Sequence, residues 1–167
     1  MAPQKNQTGD TQSRLLESAC KVFARKGFHD ATIAEICDLA GASIAAVNYY
    51  FGSKEAIYVE AWRAAFRRSM DASPQDGGVP PDAPVEERLR GRILSMLRRV
   101  LDPENHEFEI VHKELANPTG LLAEVMRESI EPIRLAFDAL VRELLGEKAL
   151  QEQVMLCQMS IRSQCFD

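Results

Sequence analysis

The sequence has no glycine-rich phosphate loop, no G-x-S-x-G elbow and no H-E-x-x-H helix. No carboxylate is paired with a His or Cys in a pattern that suggests nucleophilic catalysis. An enzyme is therefore not expected, and neither is a cofactor. Cysteine is scarce: Cys20, Cys37, Cys157 and Cys165 form no C-x-x-C pair, so free thiols are expected rather than a zinc knuckle or a disulfide framework. Cys157 and Cys165 lie eight residues apart on one predicted helix, about 12 Å along its axis and too far for a bond within it. Histidine is scarcer still. Glu109 and His112 share a helix face, but six residues turn the helix through about 600°, which takes His106 off that face. No metal set follows. No apolar run approaches the roughly 18 residues of a membrane span, and the polar opening MAPQKNQTGDTQ lacks the apolar centre of a signal peptide. The expectation is a cytoplasmic protein with no membrane partner.

What is present is enough apolar residue, 46% of 167, for one or two globular domains. The net charge of −5 conceals an asymmetry. Residues 1–70 carry nine Lys/Arg against seven Asp/Glu, while residues 71–167 carry eleven against eighteen. An acidic body would repel nucleic acid and help to orient a slightly basic head towards it.

The most informative stretch runs from Thr32 to Lys54, TIAEICDLAGASIAAVNYYFGSK. Thr32 followed by Glu35 is a capping box. Ile33, Ile36, Cys37 and Ala40 then make one apolar face. Gly41 stands where a helix end wants φ > 0, and Ser43 can cap a second helix, Ile44 to Phe51, with Ile44, Val47 and Phe51 on one side. Two short helices joined by a glycine turn describe a helix-turn-helix. Ala45 and Ala46 would let the second helix approach a surface closely, and eight residues span about 12 Å, the width of a DNA major groove. Asn48 supplies an amide for base edges, while Thr32, Ser43, Tyr49, Tyr50 and Lys54 are of the types that hold phosphates. The same spacing also suits a plain helical hairpin with half-buried tyrosines.

The run T-I-A-x-I-x-x-x-A-G-x-S, followed by Y-Y-F-x-S-K-E, resembles the N-terminal domain of TetR/AcrR-type transcriptional regulators over about Gln12 to Arg68. Many members have Gly and Leu near Ala45 and Val47. The form found here, IAAVNYYFGSKE, is similar to the CecR-like branch. ELANPTG followed by a proline-containing helix resembles the C-terminal domain of the same branch. The resemblance implies double-stranded operator DNA as partner, pairing through the last two helices and a chain continuing beyond Asp167.

Elsewhere the periodicity predicts a first helix from Thr11 to Lys26, stopped by Gly27, with Phe28 plugging the head and His29 solvated. Ser53 caps a long helix to about Met70, striped by Val59, Trp62, Phe66 and Met70. Residues 71–84 hold four prolines and two glycines, which predicts a loop or linker, the internal segment most prone to disorder. Val85 to Leu101 is helical, with Leu89, Ile93, Met96, Leu97 and Val100 inside. Glu104 to Ala116 follows, then a helix from Thr119 with a kink or break near Ser129–Glu131 caused by Pro132, and last Ala149 to Phe166.

The reading is an all-α protein with a disordered tail at 1–10, a helix-turn-helix DNA-binding domain at 11–52 and a helical ligand-binding and dimerisation domain at 53–167. Its function would be transcriptional regulation: a repressor binding a palindromic operator as a homodimer and released by a small hydrophobic or aromatic effector. The alternative is a helical adaptor that binds protein and no DNA. Soft and aromatic residues suited to an effector pocket are Trp62, Phe66, Phe108, Met126, Phe137, Met155 and Met159. The family's mode of pairing points to Leu150, Val154, Leu156, Cys157 and Ile161 as interface positions.

Overall fold

The computed structural model describes residues 5–146 and 148–165, with side chains from residue 9 onward. Among the described residues there are eight helices and no strand: α1 (Lys5–Asp30), α2 (Ile33–Ala40), α3 (Ile44–Tyr50), α4 (Lys54–Ala72), α5 (Val85–Leu101), α6 (His106–Ala116), α7 (Ala123–Leu145) and α8 (Gln151–Gln164). None is long and apolar enough to cross a membrane.

They form two compact units. The first is Met1–Arg68 with Asn105–Val125, and the second is Ser69–Glu104 with Met126–Asp167. The division differs from the expected boundary at 52/53, because α6 belongs with the head. α1 packs on α6 as well as on α2 and α3. Ile110 of α6 is wholly buried. Glu114, also buried, accepts hydrogen bonds from Tyr58 Oη (2.9 Å), Thr119 N (2.9 Å), Thr119 Oγ1 (2.9 Å) and Gly120 N (2.9 Å). These donors compensate the desolvation of the carboxylate. Burial pushes the Tyr58 phenol above its ordinary pKa, and the bond to Glu114 adds to this. Leu15, Phe23, Ile36, Ile57, Tyr58 and Trp62 complete the core, each contributing about 1.5–3 kcal/mol by burial.

Several boundaries depart from the periodic reading. α1 begins at Lys5, so residues 5–10 are helical rather than a loose tail; residues 1–4 lie outside those described. Gly27, with non-helical φ 76° and ψ 179°, interrupts α1 where the stop was expected, and a short helical segment continues beyond it to Asp30. Pro132 stands inside an unbroken α7, which starts at Ala123 rather than Thr119. A proline removes one N–H and leaves the rest of a helix ladder intact, so a break is not obligatory. All four cysteines are free; burial raises the Cys20 thiol to about 11.

In the second unit Phe137, Leu140, Val141 and Val154 form the buried cluster, with Leu89, Cys157 and Ile161 packed against it. Ile93, Met96, Leu97 and Val100 are only half-buried; the buried residues of α5 are Gly91 and Ser95. The segment after α4 explains this: it is the non-helical loop expected, but an ordered one. Ser95 Oγ bonds the carbonyls of Ser73 (3.0 Å) and Pro74 (2.6 Å), and Gly78 N donates to Asp76 Oδ1 (2.8 Å). A Cβ on Gly77 would sit 2.3 Å from the Gly91 carbonyl oxygen, so the loop lies directly on the α5 backbone. Prolines prevented a helix here without preventing order, because the loop's polar groups found partners on α5.

Candidate nucleic-acid interface

The turn between α2 and α3 depends on Gly41, which is left-handed (φ 60°, ψ 43°) with its N–H on the α2 carbonyls of Asp38 and Cys37. Ser43 Oγ then accepts from Ala46 N (3.3 Å) and starts α3. One residue holds α3 down: Val47 is buried. Opposite it, Ala45, Asn48 and Tyr49 are exposed, Tyr49 by 79%, while Ala46 and Tyr50 are half-buried. Tyr49 and Tyr50 meet edge to face, 5.0 Å between centroids.

Ile44 was expected on the inner side with Val47, yet it is exposed. It sits one turn before Asn48, so the helical period places it on the outer face. That signal was available in the spacing.

The structure gives the other candidate contacts distinct surroundings. Thr32 Oγ1 accepts from Glu35 N (3.2 Å) and faces Glu35 Oε2 (3.1 Å), to which Thr32 N also donates (3.2 Å). Both donors of Thr32 thus meet a carboxylate, and its hydroxyl caps α2. Glu35 is held below the ordinary carboxylate range by its hydrogen bond to Lys26 first, with the Thr32 bonds adding to it. Lys54 lies at the start of α4 with Nζ 4.5 Å over the Phe28 ring and 3.5 Å from the His29 carbonyl oxygen. Phe28 packs on Tyr58 (5.1 Å) and Phe23 (6.5 Å), so the ammonium is positioned by the core of the head.

The expected effector residues are divided between the two units. Trp62, Phe66 and Phe108 fall in the first unit, and Met126, Phe137, Met155 and Met159 in the second. Trp62 and Phe66 stack at 5.2 Å, and the buried Trp62 Nε1 has no acceptor among the described residues. Phe137 is core, whereas Met155 and Met159 are exposed on α8. The interface candidates divide too. Val154 is 0% exposed, with Cys157 and Ile161 packed against its cluster, so these three serve the protomer's own core. Leu150 and Leu156 are exposed. Alternate turns of an amphipathic helix cannot all face outward. His106 Nδ1 lies 3.0 Å from Glu109 Oε2, an i,i+3 contact, and no group of three metal-ligating side chains occurs among the described residues.

Residues 15–61 match the family described as bacterial regulatory proteins, tetR family, and residues 85–167 match the C-terminal domain of the HTH-type transcriptional dual regulator CecR. The chain belongs to the TetR family. Its first domain is of the TetR DNA-binding type, and its pattern is that of the CecR branch. CecR of Shigella flexneri is 26% identical over 159 residues, 87% of this chain and 69% of CecR. The regulator SrpR of Pseudomonas putida is 27% identical over 114 residues, 68% of this chain. The match spans about half of SrpR, 51% of its length. Among solved structures, a transcriptional regulator from Rhodococcus sp. Rha1 superposes with a TM-score of 0.71 at 21% identity, covering 93% of this chain and 81% of that one. The fatty acid degradation regulator FadR of Bacillus halodurans gives 0.69 at 17%, covering 92% and 84%. These two likenesses concern the fold.

Proposed function

We propose that this TetR-family chain is a repressor that binds a palindromic operator as a homodimer and leaves it when a small hydrophobic or aromatic effector binds. The observation that carries the reading is the outer face of α3. Ala45, the Asn48 amide and Tyr49 are exposed, with Ala46 half-buried beside them, on a helix held by a single buried anchor, Val47. So exposed a face on so short a helix suits a major groove.

In this reading Ala45, Ala46 and Asn48 lie against base edges, and Ser43, Tyr49, Tyr50 and Lys54 meet phosphates, while Thr32 caps α2. The DNA-binding domain extends to about residue 52, and the remaining helices bind effector and partner copy. Pairing uses the exposed apolar residues of α8, Leu156 with Met155 and Met159, in place of the buried Val154. A cytoplasmic location follows from the substrate, DNA. An effector that binds the DNA-free shape more tightly releases the operator; a tenfold loss of affinity needs about 1.4 kcal/mol of coupling.

The test is a gel-shift titration of the full gene product on the DNA upstream of its own gene. Discrete, salt-sensitive complexes that survive unrelated competitor DNA are expected. Equal affinity for unrelated DNA would remove the operator from the reading, and no binding at micromolar protein would favour a protein-binding adaptor.

A further inference from the structure

We infer that the cleft between the loop around residues 76–81, α5 and α7 binds a small amphipathic monoanion, a carboxylate carried on a short aliphatic or aromatic body. The cleft measures about 330 Å³, within the range of small-molecule sites. Val79, Ala136, Ala139 and Leu140 supply apolar walls, and two arginines, Arg88 and Arg92, reach into it.

The two cations are not equivalent. Arg88 is already neutralised: its Nη2 pairs with Glu143, and its Nε donates to the Ala83 carbonyl (2.9 Å). Arg92 forms no ion pair with any described residue. Its Nη2 donates to two neutral acceptors, Gln75 Oε1 (2.8 Å) and the Ile133 carbonyl (2.6 Å). Its guanidinium carbon lies 5.1 Å from the Phe137 ring centroid, and Nε and Nη1 have no acceptor among the described residues. Asp76 also lines the cleft, but its Oδ1 is engaged by Gly78 N. Asp76 thus acts on Arg92 only through space, with no ion pair between them. A half-buried guanidinium with no ion-pair partner is costly, and its free edge is shaped for a carboxylate. Apolar walls beside that edge set the rest of the ligand's chemistry.

The binding claim stands on this geometry, and only its effect on DNA rests on the repressor reading proposed above. Isothermal titration of the full chain with sodium octanoate tests it, with octanol and octylamine as head-group controls. Saturable one-to-one octanoate binding is expected, at least tenfold tighter than either control. Arg92→Gln should weaken octanoate binding tenfold or more. Ala139→Leu, which narrows the cleft from the solvent side of α7, should do the same, with the thermal midpoint followed as the check on folding. Octanol binding as tightly as octanoate, or an affinity unmoved by both variants, would overturn the site. Octanoate that binds but leaves operator affinity unchanged keeps the site and removes only its control of DNA. A flat isotherm with intact operator binding removes the site and leaves the DNA reading standing.

Discussion

In the proposed docking, Lys54 meets a phosphate and Asn48 a base edge, the two kinds of contact that DNA recognition uses. The Lys54 ammonium rests on Phe28 and the His29 carbonyl, so it is held in place before any phosphate arrives. Lys54→Ala should weaken binding to all DNA sequences and make the salt slope shallower by about one unit. Asn48→Ala should instead relax preference at one operator position, read from a panel of single-base operator variants. A different residue, Glu114, bears on stability. Glu114→Ala leaves the buried Tyr58 hydroxyl without its acceptor and removes that of the half-buried Thr119, and should cost about 2 kcal/mol in urea unfolding. Glu35 introduces a pH dependence. Its folded pKa is lowered, so the stability it adds is present above the ordinary carboxylate range and is lost as pH falls through the lowered value. Glu35→Gln should therefore flatten the acid limb of the stability profile.

At the scale of the element, α8 shows that an apolar helix can carry two unlike faces. Val154 belongs to the protomer's core, and Leu156 to its surface, 56% exposed. Val154→Ala removes two buried methyl groups and should lower stability by about 2 kcal/mol. Leu156→Ser should leave the folding of the protomer within about 0.5 kcal/mol, while shifting the monomer–dimer equilibrium towards monomer in sedimentation velocity. If both variants behaved alike, the division of the helix drawn here would be wrong. The loop following α4 makes a related point. Its four prolines excluded a helix, but Ser95, Arg92 and the bare backbone at Gly91 gave it a surface on which to be ordered.

For the whole molecule, two short recognition helices reading one face of DNA must be about 34–36 Å apart or a multiple of that distance. One head alone offers few base contacts, so tight binding requires a pair. Sedimentation of the full gene product should give a dimer, and inserting five base pairs between operator half-sites should abolish binding by turning one site to the opposite face. A monomer at micromolar concentration that still bound DNA tightly would sink the paired reading.

The helix-turn-helix was legible in the residues because its signals are local. Thr32 with Glu35, Gly41 and Ser43 each act within one turn of chain, and neighbours in sequence suffice to recognise them. The all-α class followed for the same reason, from the period of the apolar residues. Tertiary contact decided the rest. Tyr58 and Glu114 lie 56 residues apart and meet in the core of the first unit, so nothing in the periodicity of either helix announced their bond, or that α6 would join the head. Nothing in the period of α5 set Arg92 apart from its other arginines, because its half-burial depends on Phe137 and on a loop folded back over Gly91. Periodicity identifies which face of a helix is apolar. Which partner covers that face, and which charge is left there without one, depends on segments distant in sequence, and only the folded chain brings them together.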